Sequence, residues 1–325
     1  MNIYDIAREA GVSITTVSRV LNGKQNVSKA TRQKVEEVLA RHSYVPSAIA
    51  RGLVAKSMKT VAVLTVDVRV PHYARTAYAI EHECTRRGYN VLMCNTGAAK
   101  EAGMHYLDIV TEKQVDGVIL VGSAHSALNT ESRLKKLLAR TPTVVANGRL
   151  KLPNSYSVLV DDHLGVGMAV DHLAEKGHEG IVYVRDMDTE SAHRKYEGYL
   201  DAMGRRGLAP RTLETEPTLA GGMAAAQAFL KMKKVTALVC GEDLTAAGVL
   251  KGLLRAGVRV PQDVAVTGYN NSEYAHICEP ELTTVDNKPE MVGLMSVQLL
   301  ESLIGGRADP ASVVVQPELA LGQST

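Results

Sequence analysis

Residues 5–22 read DIAREAGVSITTVSRVLN, and this stretch decides the fold of the amino-terminal part of the chain. Gly11 is placed to end a first short helix, as a glycine just past a helix commonly does. Ser13 is a good N-cap for a second helix over 14–22. The first helix carries apolar residues at the spacing of one face, namely Ile3, Ile6, Ala7 and Ala10. Two short helices joined by a tight glycine-containing turn predict a helix-turn-helix unit.

A third helix is predicted over 31–41, with Ser28 as its cap. The second and third helices enclose a small core with Val17, Val20, Leu21, Val35, Val38 and Leu39. The second helix would then turn its outer face to the major groove, where Arg19 could read a guanine in a bidentate way. The residues predicted to contact DNA in and around this helix are Ser13, Ile14, Thr15, Thr16, Ser18, Arg19, Asn22 and Gln25.

The distribution of charge supports a polyanion-binding module at this end of the chain. Residues 1–56 contain nine Lys and Arg against four Asp and Glu, a net charge of +5, while the whole chain of 325 residues carries only +2. A basic end on a slightly acidic body indicates that two different functions are joined. A small helical bundle that binds a protein is the alternative reading of this end.

The sequence resembles the LacI/GalR family of repressors at DIAREAGVSITTVSRVLN (5–22) and VSKATRQKVEEVLARHSYVPSAIARGL (27–53). The resemblance implies a DNA-binding headpiece over 1–45 and a hinge helix with linker over 46–59. In the family the hinge helix pairs across a dimer and inserts a leucine into the minor groove, which bends the duplex. Leu53 falls at the position of that leucine and is therefore predicted to contact DNA.

From residue 60 onward, apolar runs alternate with helix-length segments. The run VAVLTV (61–66) is continuous, as expected of a strand that is covered on both faces. Further runs lie at 89–95, 116–122, 143–148, 156–162, 180–186, 236–243 and 263–271, and helical segments at 72–87, 167–176, 194–206 and 245–256. This alternation predicts parallel sheets with helices on both faces, and its length predicts two subdomains.

The family resemblance extends into this region through RVPQDVAVTGYNN (259–271) and EPELTTVDNKP (279–289). It implies a periplasmic-binding-protein fold with two Rossmann-like halves, and the chain passes between these halves three times. The effector-binding and dimerisation domain would span 60–325, with an N-subdomain at about 60–159 plus 287–317 and a C-subdomain at about 160–286. The predicted fold class is thus an all-α headpiece followed by two α/β subdomains.

Ligands of open α/β sheets bind beyond the carboxyl ends of the strands, and most of the candidate effector contacts lie there. The candidates are His72, Tyr73, Asp161, Arg194, Lys195, Glu242 and Asn270. Lys195 stands where relatives usually carry an arginine, for which Arg194 could substitute, and Asn270 stands where many sugar-binding relatives have aspartate. Asp161 and Asn270 could equally cap the helices that follow them.

No motif predicts catalysis, a cofactor or a metal site. The sequence has no phosphate-binding loop of the Walker type, no G-x-S-x-G elbow and no zinc-type spacing of its four cysteines. It shows no secretory signal and no apolar run of about 20 residues, so a cytoplasmic location is expected.

The predicted function is that of a sequence-specific transcriptional regulator, in the first instance a repressor. A homodimer that associates through helices at 73–87 and 244–254 would bind a palindromic DNA operator. A carbohydrate-like small molecule in the cleft would control it. The alternatives are a solute-binding protein of a transport system and a sugar-modifying enzyme.

Overall fold

The computed structural model describes residues 2–21, 26–42, 57–306 and 311–325. Asn22, Gln25, Leu53 and the predicted hinge helix lie outside the described residues. The chain separates into two compact units, one formed by residues 1–60 with 114–116 and the other by the rest of the chain. The first is called the headpiece here and the second the body.

Three helices form the headpiece: α1 (Ile3–Ala10), α2 (Ile14–Leu21) and α3 (Lys29–Arg41). Asn2 and Asp5 cap the start of α1 reciprocally, and Gly11 ends it in the left-handed conformation with φ +66°. The helices pack around a small apolar core of Ile6, Ala7, Val17, Val20, Val35 and Val38. Glu9 on α1 accepts hydrogen bonds from Arg41 and His42 at the end of α3, which ties the two helices together.

The first sheet of the body is built from β1 (Thr60–Thr65), β2 (Asn90–Asn95), β3 (Gly117–Val121), β4 (Thr143–Ala146), β5 (Ser155–Val160) and β11 (Val313–Val315). The strands lie in the order β11-β5-β4-β3-β1-β2. The pairs from β11 through β1 are parallel. Its helices are α4 (Pro71–Arg86), α5 (Lys100–Glu112), a 3-10 helix (Ser123–Thr130), α6 (Leu134–Leu137) and α12 (Pro289–Ile304).

The second sheet is built from β6 (Ile181–Arg185), β7 (Arg211–Glu214), β8 (Ala237–Cys240), β9 (Ala265–Tyr269), β10 (Thr283–Asp286) and β12 (Glu318–Ala320). The strands lie in the order β12-β10-β9-β8-β6-β7, and only the edge pair β10–β12 is antiparallel. Its helices are α7 (Asp162–Glu175), α8 (Glu190–Arg205), α9 (Leu219–Phe229), α10 (Asp243–Arg255) and α11 (Glu273–His276).

The chain passes between the two sheets three times, and the cleft between the subdomains is bounded by these passages. β5 of the first sheet leads into α7 of the second subdomain, β10 leads back into α12, and β11 leads across to β12. The last passage places the carboxyl-terminal strand of the described residues on the second sheet.

The helix α12 stabilises the first subdomain because its apolar face packs in the core of that subdomain. Val292 and Leu300 pack there with strand residues such as Ile119. Gly293 permits α12 to approach α4 closely, since a Cβ atom at this position would lie 2.8 Å from the Cβ of Ala79. The first turns of α12 are thereby held close to the middle of α4, and residues at the starts of both helices line the cleft.

Candidate functional site

The exposed face of α2 is the candidate DNA interface of the headpiece. Thr15 and Arg19 are exposed, and Ile14 presents 41% of its surface to solvent although it is apolar. Ile14, Thr15 and Arg19 are thus accessible to a binding partner on one helix. The Ile14 and Arg19 side chains offer an apolar contact for a thymine methyl group and a donor fork for a guanine.

Two of the predicted DNA contacts hold the start of α2 in place. The Ser13 hydroxyl accepts a hydrogen bond from the Thr16 amide nitrogen at 3.1 Å, and the two hydroxyl oxygens lie 2.9 Å apart. Ser13 therefore caps the helix, as its sequence position predicts. The Ser13–Thr16 pair fixes the backbone from which Ile14 and Thr15 project.

In the body, a polar compartment lies in the cleft between the two subdomains. The side chains that give it its chemical character are His72, Asn147, Asp186, Lys195, Glu242, Asn270 and Asn287. His72 and Asn147 belong to the first subdomain, Asn287 lies on the second passage, and the others belong to the second subdomain. The compartment encloses about 40 Å³.

Lys195 provides the buried positive charge of this compartment. Its ammonium group donates to the Gly241 carbonyl at 2.8 Å and lies 3.6 Å from the Glu242 carboxylate. The same nitrogen lies 3.8 Å from the centre of the Tyr269 ring, a cation–π contact. The charge of Lys195 is thus balanced by groups of its own subdomain before any ligand binds.

A chain of amide and carboxylate hydrogen bonds runs along one wall of the polar compartment. The Asn287 amide nitrogen donates to the Asn270 side-chain oxygen at 2.8 Å, and the Asn270 amide nitrogen donates to Glu242. His72 Nδ1 lies 3.3 Å from the same Asn270 nitrogen and 3.8 Å from Glu242. The side-chain oxygen of Asn287 is buried and accepts no hydrogen bond from the residues that the structure describes.

Two further carboxylates form hydrogen bonds within the second subdomain beside these groups. Asp162 accepts hydrogen bonds from the Tyr269 hydroxyl and the Ser191 hydroxyl, both at 2.7 Å. Asp186 accepts a hydrogen bond from the Thr245 hydroxyl at 2.6 Å. These bonds connect the starts of α7 and α8 with each other, and the start of α10 with the end of β6.

Burial shifts the ionisation of the groups in the cleft. Desolvation and the nearby charge of Lys195 lower the pKa of His72 to about 3, so its imidazole is neutral at pH 7. Burial and the neighbouring Glu242 raise the pKa of Asp186 to about 6, and burial also raises the pKa of Glu242. The compartment therefore offers neutral and negative groups to a ligand, together with two cations, Lys195 and Arg185, that already lie beside carboxylates.

The structure brings five of the seven predicted effector contacts to the polar compartment: His72, Tyr73, Lys195, Glu242 and Asn270. Asp161 instead caps α7, where its carboxylate accepts a hydrogen bond from the Leu164 amide nitrogen at 3.1 Å. Arg194 lies 3.7 Å from Asp161 and lines a smaller neighbouring depression.

Arg185, Thr189 and Ser191 also line the polar compartment and were not predicted. Sequence reasoning further missed three of its amide and carboxylate side chains, Asn147, Asp186 and Asn287. Each of them directly follows a strand, after β4, β6 and β10. The rule that ligands bind beyond the carboxyl ends of parallel strands would have found all three, had it been applied to every strand.

Comparison with known proteins shows what this combination of units is. A model of the bacterial regulatory proteins of the lacI family matches residues 2–47, and a periplasmic binding protein-like domain matches residues 170–325. The whole chain is 32% identical to an HTH-type transcriptional regulator of Lachnoclostridium phytofermentans, of which it covers 99%. The chain belongs to the LacI family.

Other relatives agree with this assignment. This LacI-family chain is 33% identical over its full length to Catabolite control protein A of Priestia megaterium, of which it covers 99%. It is similar to the structure of the transcriptional regulator CelR in complex with cellobiose, with 27% identity, a TM-score of 0.73 and full coverage of both chains. The relatives are regulators by name, and this LacI-family protein is a DNA-binding transcriptional regulator.

The fold is shared with a lac repressor dimer bound to operator and the anti-inducer ONPF, at a TM-score of 0.86 and 24% identity. The alignment covers 100% of this LacI-family chain and 98% of that one. The predicted fold class, a helical headpiece followed by two α/β parallel-sheet subdomains, is confirmed. Among the described residues, no helix combines the length and apolarity needed to cross a membrane.

Proposed function

We propose that this regulator is a cytoplasmic repressor that binds a palindromic operator as a homodimer and is controlled by a small molecule in the cleft. The exposed face of α2 carries the DNA-reading part of the proposal, because Ile14, Thr15 and Arg19 are presented to solvent on a capped and packed helix. Two such helices in a two-fold dimer require a two-fold operator. Leu53 would add the minor-groove contact.

The homodimer would associate through the helices at 73–87 and 244–254, which correspond to much of α4 and α10. Both helices leave side chains exposed along the body, including Tyr78 at 70% and Leu254 at 43%. Exposed apolar side chains on two long helices suit an interface between copies of the chain. We propose that the protein acts by binding, without catalysis or a cofactor.

The effector that fits the polar compartment is an uncharged molecule with several hydroxyl groups, such as a sugar. Amide and carboxylate side chains on both walls accept and donate hydrogen bonds to hydroxyl groups. An anionic effector would meet Asp186 and Glu242. The two cations that line the compartment are already paired, Lys195 with Glu242 and Arg185 with Asp188 and Glu214. The charges of the compartment therefore favour a neutral ligand over a sugar acid or phosphate.

Effector binding would change the separation of the two subdomains. The compartment encloses about 40 Å³, which is space for roughly one to three water molecules and less than a sugar ring requires. We infer that a ring-sized ligand displaces the walls of the compartment, and a resulting shift between the two subdomains would be the signal transmitted to the headpiece. By linkage, an effector that weakens operator binding must itself bind less well to the operator complex.

A DNA-binding titration with an effector screen tests the proposal. We expect the full-length protein to bind DNA from the region upstream of its own gene, with an affinity that falls steeply as salt concentration rises. Fluorescence anisotropy at several salt concentrations measures this. A thermal-shift screen of neutral sugars, sugar acids and sugar phosphates then identifies ligands of the cleft, which are tested for a change in operator affinity.

If the protein binds no DNA in a salt-dependent way, the proposal fails. If it binds DNA but only sugar acids or phosphates stabilise it, the effector class is wrong while the regulatory function stands. A solute-binding protein is the second candidate, and the headpiece with its match to lacI-family proteins over residues 2–47 disfavours it.

A further inference from the structure

A loop rich in lysine lies at the amino-terminal edge of the second sheet, away from the strand ends that border the cleft. It spans residues 230–236, joins α9 to β8 and is called the basic loop here. Its lysines Lys231, Lys233 and Lys234 are exposed, and none of the three ammonium groups pairs with a residue that the structure describes. The basic loop therefore presents three uncompensated positive charges to solvent.

Contacts with neighbouring segments hold the backbone of the basic loop in place. The Thr236 amide nitrogen donates to the Gly180 carbonyl at 2.9 Å, directly before β6. The Arg211 guanidinium, at the start of β7, donates to the Lys233 carbonyl at 2.7 Å. Gly180 permits this packing, since a Cβ atom there would clash with the Lys234 carbonyl oxygen. The lysines therefore project from a backbone that is held against the starts of two strands.

Other cations at the same edge differ from those of the basic loop because carboxylates neutralise them. Arg206 after α8 pairs with Asp171 at 2.7 Å, and Arg259 before β9 pairs with Asp263 at 2.6 Å. Arg211 forms no ion pair with a described residue and lies against the basic loop, so it adds a fourth positive charge. The uncompensated charge is thus confined to one part of this edge.

The charge of this surface is opposite in sign to that of the body around it. Because the whole chain carries +2 and residues 1–56 carry +5, residues 57–325 carry −3. The exposed Glu179 before β6 offsets only one of the four positive charges. The lysines lie on the outer surface and line no part of the polar compartment. An extended polyanion suits such an open surface better than a small enclosed anion does.

Double-stranded DNA is the polyanion that these side chains favour. Lysine is depleted in interfaces between proteins, whereas lysine and arginine supply the phosphate contacts of DNA-binding proteins. We propose that the basic loop binds the phosphate backbone of a second DNA segment while the headpieces hold the operator. This inference rests on the proposed function, because the operator is the first of the two segments. Contacts to phosphates carry no sequence information, so the second segment is bound without sequence preference.

A bead assay with the full-length protein tests the inference. DNA from the region upstream of the gene is immobilised, the protein is bound to it, and a labelled duplex of random sequence is added. We expect the bound protein to retain the labelled duplex, in an amount that falls steeply as salt concentration rises. The quantity of protein on the beads is measured in parallel and reports operator binding separately.

Neutralising the basic loop should release the second duplex. In the triple variant Lys231→Gln, Lys233→Gln and Lys234→Gln, we expect the affinity for the random duplex to fall at least about tenfold. The slope of its logarithm against the logarithm of salt concentration should become shallower by about 2 to 3, since each phosphate contact contributes about 0.9. Binding to the immobilised operator should be unchanged. The triple arginine variant at the same positions keeps the charge and should retain the second duplex.

The matched control removes the same number of charges from the first subdomain. Lys113→Gln, Lys135→Gln and Lys136→Gln alter three exposed lysines that form no ion pair with a described residue. We expect this control to retain the random duplex as the unaltered protein does. All six positions are exposed, so the melting temperatures of both triple variants should stay close to that of the unaltered protein.

The outcomes separate this inference from the proposed function. If operator-bound protein retains no random duplex, the second DNA site is wrong and the regulator stands. Equal losses in the basic-loop variant and its control would also contradict the inference, because the duplex would then bind through overall charge. Retention of labelled poly-glutamate but not of the duplex would overturn the assignment to DNA in favour of an acidic protein. If the immobilised DNA retains no protein, the proposed function fails together with the inference.

Discussion

The headpiece and the cleft assemble their candidate contacts in opposite ways. In the headpiece, most of the predicted DNA contacts lie on or beside one helix, Ile14–Leu21, and several are exposed. In the cleft, the polar compartment gathers side chains from His72 to Asn287, and most of these are hydrogen-bonded to one another. The candidate DNA contacts on α2 therefore lie outside the core of the headpiece, whereas the side chains of the polar compartment are themselves part of the buried interior of the body.

This difference predicts how substitutions act. A change on the exposed face of α2 alters recognition of DNA and leaves the folding free energy nearly unchanged, because the side chain makes few contacts before DNA binds. A change in the cleft alters stability and effector binding together, because the removed group has buried partners. Three substitutions test this comparison, and they are taken in order from the largest to the smallest expected change in free energy.

The largest effect is expected for Lys195→Met. The substitution removes the buried ammonium group and leaves the Gly241 carbonyl and the Glu242 carboxylate without it. Breaking a buried charge pair costs about 3 kcal/mol. We expect the unfolding free energy of the body to fall by about that amount and effector binding to be lost, as measured by thermal unfolding with and without ligand.

The control for this variant is Lys136→Met, which removes an exposed lysine of the first subdomain and should change the melting temperature little. The preference of the effector-free protein for operator over random DNA should be unchanged in Lys195→Met. A stable variant with normal effector binding would show that Lys195 and its partners do not form a coupled site.

Arg19→Ala tests the headpiece side of the comparison. We expect the affinity for the operator to fall about thirtyfold, equivalent to about 2 kcal/mol, because a bidentate contact with a guanine is lost. Non-specific DNA binding should weaken far less, since only one of several positive charges is removed. Anisotropy titrations with operator and scrambled DNA at one salt concentration measure both effects.

Lys34→Ala is the matched control, because Lys34 is an exposed cation on α3 outside the predicted reading face. It should weaken both kinds of DNA binding equally and slightly. Equal losses on operator and scrambled DNA in Arg19→Ala would contradict base reading by this residue. A lower melting temperature of the headpiece would contradict the separation of recognition from folding.

The same comparison explains what the sequence could predict. The helix periodicity, Gly11 and the caps at Ser13 and Ser28 are local signals, so the three headpiece helices follow from a few neighbouring residues. The alternating runs of the body likewise predict the α/β fold class. In both regions, the patterns that predict the individual helices and strands are local in sequence, although the strand pairs of the body are not.

The composition of the cleft could be predicted only in part, because it depends on which strand ends meet. Asp161 and Asn270 both follow apolar runs, yet the first caps a helix while the second joins the hydrogen-bond chain to Glu242. The balanced charge of Lys195 depends on the Gly241 carbonyl and the Tyr269 ring, which are far away in the sequence. No spacing rule contains that information.

The smallest effect is expected at a bridge across the cleft. Glu190 at the start of α8 accepts a hydrogen bond from Ser126 of the first subdomain at 2.6 Å and pairs with Arg149. Partly exposed ion pairs contribute at most about 1 kcal/mol. If the effector widens the cleft as proposed, Glu190→Gln should bind it about two- to fivefold more tightly in calorimetric titrations.

Arg149→Met provides the matched control, because it breaks the same ion pair from the first subdomain without removing the acidic residue that favours the start of α8. Both variants should tighten effector binding by a similar factor, and the double variant should add little, since the two side chains act through one bridge. Weaker binding in both variants would instead assign the bridge to the effector-bound state. Additive effects would show that Glu190 acts through its helix and not across the cleft.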